Sequence, residues 1–387
     1  MTGGAGPLVY LIAGEASGDA LGAGLMAALK ERFQGDVRFA GVGGPQMEAE
    51  GLASLFPMDD LGVMGLAEIL PRLFRLIGRM NQTKADIRSR KPHVLVTIDS
   101  KGFTLRVAEA IKKQAPDIPI VHLVAPTVWA YRPERASAVA GYLDHLLCLY
   151  PFEPPFFERE GLAATFIGHP IATQPPGNGA AFRARHGFGD DVPVLLVLPG
   201  SRSGELDRLL PVFAESLNRV FAAGWRGRVV IPTLPGLAPR LAAAVAGWPG
   251  DPLIVTDLAG KRDAFACARA ALAASGTVVL ELAVAGVPAV VAYRMAPLTA
   301  AIARRLIRVR HVGLINILLD DDVMPEFLQE NCRADQIAPA LTSLLTDDRA
   351  HAAQRSRFRD VMTMLTGPSG GPAAAAANVV AGIIRQA

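Results

Sequence analysis

Cysteine is scarce. Cys148, Cys267 and Cys332 are the only three in 387 residues. They lie far apart, form no C-x-x-C pair and are odd in number, which argues against a disulfide framework and fits a reducing cytoplasm. The seven histidines are dispersed, without an H-x-H or H-x-x-x-H pair, so no metal centre and no metal cofactor is expected. Charge of one sign is missing too. The 39 basic and 36 acidic side chains leave a net +3, too little to mark a nucleic-acid binder. No stretch of about 18 uncharged apolar residues occurs, which excludes an obvious membrane span. Residues 1–7 carry no basic segment and run straight into an apolar stretch, so no signal peptide is expected. There is no G-x-S-x-G elbow, which disfavours a serine hydrolase. No Gly-rich turn has dinucleotide or Walker A spacing, which disfavours a nicotinamide enzyme, and no organic cofactor is expected.

What is present is apolar. Hydrophobic residues make up 51% of the chain, and the mean hydropathy of +0.29 is high for a water-soluble enzyme; a lipid substrate would account for it. The length predicts two domains. Short apolar runs that end in Gly, Pro or Asp recur: Leu8–Ala13, His93–Ile98, Ile118–Val124, His145–Leu149 and Ala164–Ile167, then Val194–Leu198, Arg228–Ile231, Leu253–Val255, Ala270–Ala273 and Ala289–Ala292. Helically spaced segments such as Leu206–Phe221 and Leu237–Ala246 separate them. Buried strands alternating with helices predict an α/β protein of two Rossmann-like, doubly wound parallel-sheet domains facing a cleft. The turn-rich stretch Gln174–Gly179 separates a domain at 1–174 from one at 180–366, and Gly367–Pro372 precedes a final Ala-rich helix within 373–387. Ligands of such sheets bind at the carboxyl ends of the strands.

Several junctions carry polar groups at those ends. Ala274-Ser275-Gly276-Thr277 lies between an apolar run and a helical segment, with Glu281 one turn further on. Exposed N–H groups at the positive end of a helix dipole suit a diphosphate, and Glu281 could accept from ribose hydroxyls; a plain Ser or Thr N-cap fits the same letters. Leu198-Pro199-Gly200-Ser201-Arg202 puts an arginine where it could grip phosphate oxygens, or simply on a surface loop. The first run leads into Gly14-Glu15-Ala16-Ser17-Gly18-Asp19, a small-residue turn with two carboxylates and a hydroxyl, or a tightly packed turn capped by Ser17. Gly41-Val42-Gly43-Gly44-Pro45 reads as a second turn at the same cleft. Asp99, ending the His93–Ile98 run, is placed for a general base or for a helix cap. Trp129, with Tyr131 and Arg132, reads as a wall for a sugar or lipid, or as core. Tyr293-Arg294 follows another strand end, and Asn316 lies in an apolar loop. In Leu66–Met80 the apolar positions 66, 69, 70, 73, 76, 77 and 80 share a helical face opposite Arg72, Arg75 and Arg79. Such a helix either faces the core or lies on an anionic membrane. A further basic cluster is Arg304, Arg305, Arg308 and Arg310.

Together these blocks resemble the lipid-A-disaccharide synthase family, inverting glycosyltransferases of the GT-B architecture. The likeness runs almost end to end through Ala13–Asp19, Phe56-Pro57-Met58, Val63-Met64-Gly65, Ile98-Asp99, Pro126–Ala130, Pro151-Phe152-Glu153, Ile167–Pro170, Leu198–Arg202, Ala274–Thr277 with Glu281, and Tyr293-Arg294-Met295. The resemblance implies transfer of 2,3-diacylglucosamine from UDP-2,3-diacylglucosamine to 2,3-diacylglucosamine 1-phosphate, releasing UDP. It implies a first domain for the acceptor, with Glu15, Ser17, Asp19, Met64, Trp129 and Asn316 at the acceptor side or the cleft. It implies a second domain for UDP, with Ser201, Arg202, Ser275, Gly276, Thr277, Glu281 and Arg294, and a final helix returning to the first domain. Asp99 would be the base and Arg202 the residue neutralising the diphosphate, without a metal. A peripheral place on the cytoplasmic face of the inner membrane is implied, with no nucleic-acid partner and the homodimer question open. The chain departs from the family where Lys101-Gly102 replaces the usual Pro-Asp, and at Ala296 and Asn331. Another UDP-sugar enzyme of the same architecture, such as a UDP-N-acetylglucosamine 2-epimerase or a peptidoglycan glycosyltransferase, is the competing reading. A catalytically silent lipid-binding protein is a second.

Overall fold

A computed structural model describes residues 6–61, 69–129, 134–296 and 311–386. The chain divides into two compact units, one formed by Met1–Pro170 with Met364–Ala387 and the other by Ile171–Thr363. The first holds β1 (Leu8–Ala13), β2 (Arg38–Val42), β3 (Val94–Ile98), β4 (Ile120–Leu123), β5 (His145–Cys148) and β6 (Ala163–Phe166). The second holds β7 (Val194–Leu198), β8 (Arg228–Pro232), β9 (Leu253–Val255), β10 (Ala268–Ala273), β11 (Ala289–Tyr293) and β12 (Glu326–Leu328). Each set forms one six-stranded sheet, in the orders β2-β1-β3-β4-β5-β6 and β12-β11-β10-β7-β8-β9. All pairs within the sheets are parallel. Strand order reverses at β1/β3 and at β7/β10, the switch points where open α/β sheets leave a crevice at their carboxyl edge.

Burial on both faces explains the uniformly apolar strands. Successive side chains of β1 alternate between two cores. Leu8, Tyr10 and Ile12 join Leu95, Ile111 and Phe157 on one face. Val9, Leu11 and Ala13 join Leu25, Met26 and Leu29 on the other. That second core is closed by Ala375, Ala376, Ala377 and Val380 of the last helix, Gly371–Gln386. This helix packs on Ala16–Arg32, and its small side chains bring the two helices close: a Cβ at Gly24 would sit 3.6 Å from that of Ala373. In the second unit Leu195 and Val197 pack with Leu206, Leu209, Phe213 and Leu217 of helix Ser203–Ala222 and with Ile337 and Leu341 of helix Ala334–Thr346.

Ten of the twelve strands coincide with the apolar runs. The two additional ones, β2 and β12, are the outermost strands of their sheets next to β1 and β11, where one flank has no ladder partner and continuous apolarity is not required. Gly41 and Val42 are therefore strand, not turn. Gly41 has φ +138°, and a Cβ there would lie 1.8 Å from the Leu11 carbonyl oxygen, so only glycine fits against β1.

Asp19 is the polar anchor of this region. It is 2% exposed, and its carboxylate accepts from the backbone N–H groups of Gly44 at 2.9 Å, Gln46 at 3.0 Å and Met47 at 3.0 Å. It thus caps helix Pro45–Ala49 from a distant part of the chain, where negative charge also suits the helix dipole. Asp19→Ala leaves those donors without their acceptor and is expected to destabilise the first unit by ~2–3 kcal/mol. Urea unfolding checks this; a midpoint equal to wild type would show the cap to be dispensable.

Candidate active site

The second unit contains a cavity of about 550 Å³ at the carboxyl ends of β7, β8, β9 and β10. Gly200, Ser201 and Arg202 line it from the loop after β7, and Thr233, Thr256 and Asp257 from the loops after β8 and β9. Ser275, Gly276, Thr277 and Glu281 close it from the segment after β10. Six of the residues picked out from sequence for UDP therefore meet around one space.

Local chemistry shapes each wall. Thr277 stands at the N-cap of helix Val278–Val284, as the letters allow, but its side chain makes no capping hydrogen bond. A Cβ added at Gly276 would meet nothing within 4 Å, so the backbone there borders open cavity. On the opposite loop, the Glu205 carboxylate is 6% exposed. Its Oε2 accepts from the N–H groups of Ser201 at 3.1 Å and Arg202 at 3.3 Å. Its Oε1 accepts from Arg202 Nη1 at 3.0 Å and from the Tyr293 hydroxyl at 3.2 Å. Burial, and then the negative charge of Glu205, push the Tyr293 phenol up, so it stays protonated and donates. The Arg202 side chain is 80% exposed and free to swing onto an incoming anion.

Glu205, Asp257 and Lys261 were not picked out from sequence. Asp257 caps helix Leu258–Cys267 by accepting from Gly260 N–H at 2.6 Å. Lys261, on that helix, pairs with Glu281 at 2.6 Å. For Glu205 a signal existed, a Glu at the third position of a helix. A lysine inside a helix gives no such mark.

Three sequence candidates have their polar groups engaged elsewhere. Arg294 is not among the cavity-lining residues, and its guanidinium donates to the Cys332 carbonyl. Asn316 is 1% exposed; its amide donates to the Met324 carbonyl at 2.8 Å and Glu326 Oε1 at 2.7 Å and accepts from Met324 N–H at 2.8 Å. Asp19 is the cap described above. Met64, Tyr131, Arg132 and the cluster Arg304, Arg305, Arg308 and Arg310 lie outside the described residues.

In the first unit the carboxyl edge is built from strained backbone. Asp99 and Ser100 have φ of +43° and +44°, and Val124, just after β4, has +81°. A β-branched residue in that region is costly, and such outliers concentrate where geometry is dictated by function. The strain turns the chain sharply at β3 and leaves Asp99 half-buried. Ser100 presses on Gly14, where a Cβ would lie 2.4 Å from Ser100 Oγ, so the Glu15–Ser17 turn and Asp99 adjoin at the β1/β3 switch point. Glu15 and Ser17 are exposed.

Trp129 is half-buried. It meets Phe152 edge-on at 5.2 Å, and its indole N–H donates to Glu153 Oε1 at 3.3 Å. Glu153 Oε2 accepts from Tyr150 N–H at 3.1 Å. Burial pushes the Glu153 carboxyl up to about 7, with the Tyr150 and Trp129 bonds and the Lys101 charge pulling the other way. Lys101, in the departure from the family pattern, is itself lowered by burial, with Asp99 and Glu153 opposing that shift. Beneath them His122 is fully buried and lowered to about 3, chiefly by burial; it is neutral, with Nδ1 2.8 Å from the Thr97 hydroxyl.

Helix Ile69–Arg90 has two characters. Leu76 and Met80 pack against the core, and Arg79 is held by Asp60 at 2.6 Å and lies over the Phe56 ring. Phe74, outside the apolar stripe read from sequence, is 72% exposed and Ile77 46%.

Two parallel six-stranded sheets, one with a polar cavity at its switch point, define an α/β protein of the GT-B type. Solved structures agree on the fold. A putative UDP-N-acetylglucosamine 2-epimerase from Listeria monocytogenes aligns with TM-score 0.64 and 14% identity over 99% of this chain and 96% of its own. The glycosyltransferase of kitacinnamycin aligns with TM-score 0.60 and 16% identity over 98% and 99%. Sequence then narrows the class. The model of the lipid-A-disaccharide synthetase family matches residues 9–369. The lipid-A-disaccharide synthase of Rhodospirillum centenum is 49% identical over 98% of this chain and 95% of its own length. That of Gluconobacter oxydans is 47% identical over 98% and 92%. The chain belongs to the lipid-A-disaccharide synthase family and is a glycosyltransferase of lipid A biosynthesis.

The Glu153 proton has a measurable consequence. Its folded-state value of about 7 exceeds the ordinary 4.5, so the folded protein holds a proton that the unfolded chain releases. This contribution is intact below about pH 4.5 and is lost as pH rises through about 7. Thermal midpoints between pH 5 and 8 are expected to fall more steeply in wild type than in Glu153→Gln, which cannot titrate. Parallel slopes would mean that Glu153 is ionised throughout.

Proposed function

We propose that the protein transfers 2,3-diacylglucosamine from UDP-2,3-diacylglucosamine to the 6-hydroxyl of 2,3-diacylglucosamine 1-phosphate in one inverting displacement. Family membership supports the reaction, and the single observation that carries the division of labour is the cavity after β7–β10 with its arginine, its open backbone at Gly276 and its carboxylate at Glu281. The second unit takes UDP. Arg202 leaves its exposed pairing with Glu205 to meet the diphosphate, Ser201, Ser275, Gly276 and Thr277 surround it, and Glu281 accepts from the ribose hydroxyls.

The first unit takes the acceptor. The carboxylate of Asp99 accepts no hydrogen bond from the described residues, while the bend at β3 holds its backbone fixed. It removes the 6-hydroxyl proton as that oxygen attacks the anomeric carbon; the bond from that carbon to the diphosphate oxygen breaks, and UDP leaves with the electron pair. Glu15, Ser17 and Trp129 border the acceptor. Arg202 and the nearby N–H groups stabilise the charge that grows on UDP, so the protein supplies electrostatically what the leaving group requires.

Asp99→Asn and Arg202→Ala are each expected to lower kcat by ~100–1,000-fold, roughly 3–4 kcal/mol of transition-state stabilisation. The assay is formation of the tetra-acyl disaccharide 1-phosphate in detergent micelles with chelator present, read by mass spectrometry. Near-normal turnover of Asp99→Asn would remove it as the base. UDP release without disaccharide would point to hydrolysis or to a different acceptor.

We further infer that the protein works at the cytoplasmic face of an anionic membrane without crossing it. Among the described residues no helix is long and apolar enough to span a bilayer. Phe74 and Ile77, three residues apart on one helix face and both exposed, suit insertion at a headgroup boundary. A double Phe74→Ser, Ile77→Ser variant is expected to lose several-fold in co-sedimentation with phosphatidylglycerol vesicles while keeping its thermal midpoint. Unchanged co-sedimentation would exclude this helix as the contact.

A further inference from the structure

The carboxylate assigned to the ribose is already engaged. Lys261 Nζ lies 2.6 Å from Glu281 Oε2, with the two side chains 27% and 28% exposed. They come from different helices, Leu258–Cys267 and Val278–Val284, and both line the same cavity. Three carboxylates border that space, Glu205, Asp257 and Glu281, against two cations, Arg202 and Lys261. Both cations are paired with carboxylates of the same lining, Arg202 with Glu205 and Lys261 with Glu281. Glu205 keeps its backbone N–H donors when Arg202 leaves, and Asp257 is committed to the Gly260 N–H. Glu281 is different, because hydroxyl donors can take the place of its cation.

We propose that Lys261 is a diphosphate ligand held in reserve by Glu281, and that a nucleoside diphosphate binds by exchange. The ammonium passes from the carboxylate to the phosphate oxygens, and the vacated carboxylate accepts from the ribose hydroxyls. One ion pair is broken and one is formed, so the Coulombic cost of opening the cavity is largely returned. A nucleoside without phosphates must break the same pair and offers the ammonium nothing. The pair therefore sharpens discrimination for nucleoside diphosphates beyond the phosphate contacts themselves, and it keeps Glu281 shielded until the right ligand arrives. This rests on the reading of Glu281 as the ribose ligand.

The test measures affinities of the full-length protein for UDP and for uridine by ligand-observed NMR, which reads millimolar binding. Lys261→Met is expected to weaken UDP by roughly tenfold or more, the worth of a charge-assisted contact, while uridine binds as well as before or tighter because Glu281 is free. Lys261→Arg is expected to keep most of the UDP affinity. Equal weakening of both ligands by Lys261→Met would overturn the proposal, since a residue that only shapes the cavity acts on both. Unchanged UDP affinity would overturn it as well. Glu281→Gln isolates the underlying reading: weakened uridine supports the ribose role, and unchanged uridine overturns that role whatever Lys261→Met does to UDP.

Discussion

The buried carboxylate of Glu205 is the interaction on which the second unit's site depends. A charge that is 6% exposed survives in a protein only if its lone pairs are filled, and here they are filled by two backbone N–H groups, a guanidinium and a phenol. Those donors are the loop itself. Gly200 reaches φ +106° beside it, and a Cβ there would strike Glu205 Oε2 at 2.3 Å, so the glycine and the glutamate require one another. The phenol comes from Tyr293 at the end of β11, separated from β7 by β10. One carboxylate thus fastens the loop that carries Ser201 and Arg202 to the end of β11, while the Arg202 side chain itself stays largely exposed.

The first unit reaches a comparable end by different means. At the ends of β3 and β4 three non-glycine residues, Asp99, Ser100 and Val124, sit at positive φ instead. Their cost is carried by the fully buried strands behind them, which leave the turn no cheaper conformation. The contrast fits the proposed division of labour: a diphosphate calls for cations and N–H groups that must themselves be restrained, whereas a hydroxyl calls for one carboxylate at a defined place.

Legibility in the sequence tracked burial. Runs such as Leu8–Ala13 and Val194–Leu198 are wholly buried and announce themselves as strands. β12, half-buried over three residues, does not. The junctions at Ser201-Arg202 and Ser275–Thr277 could be located from the sequence because each follows an apolar run that forms a buried strand, and both line the cavity. The partners across the cavity were not. Lys261 is one lysine on a helix whose neighbours give no sign of Glu281, twenty residues further on and within reach only once β10 has passed between them. On helix Ile69–Arg90 the periodicity identified Leu76 and Met80 correctly as core-facing, yet the exposed apolar pair includes Phe74. A stripe drawn at ideal spacing has no means of seeing which flank its neighbours leave open.

Carboxylates pose the same problem in its sharpest form. Asp19 and Asp99 are both carboxylates that come after a first-unit strand, Asp19 in the first turn of helix Ala16–Arg32 and Asp99 directly after β3. Fold contacts separate them. Asp19 spends both oxygens on three backbone N–H groups arriving from 25 to 28 residues away, and a buried carboxylate so committed is poorly placed to take a substrate proton. Asp99 is held by its backbone instead: its N–H continues the ladder to Leu123 at 2.9 Å, and its carbonyl accepts from the Thr104 hydroxyl. Position is supplied by the main chain and the side chain is left free among the described residues, the combination that the proposed general base needs. What separates a candidate base from a cap is therefore not the residue or its strand end, but whether the rest of the fold has already claimed its oxygens.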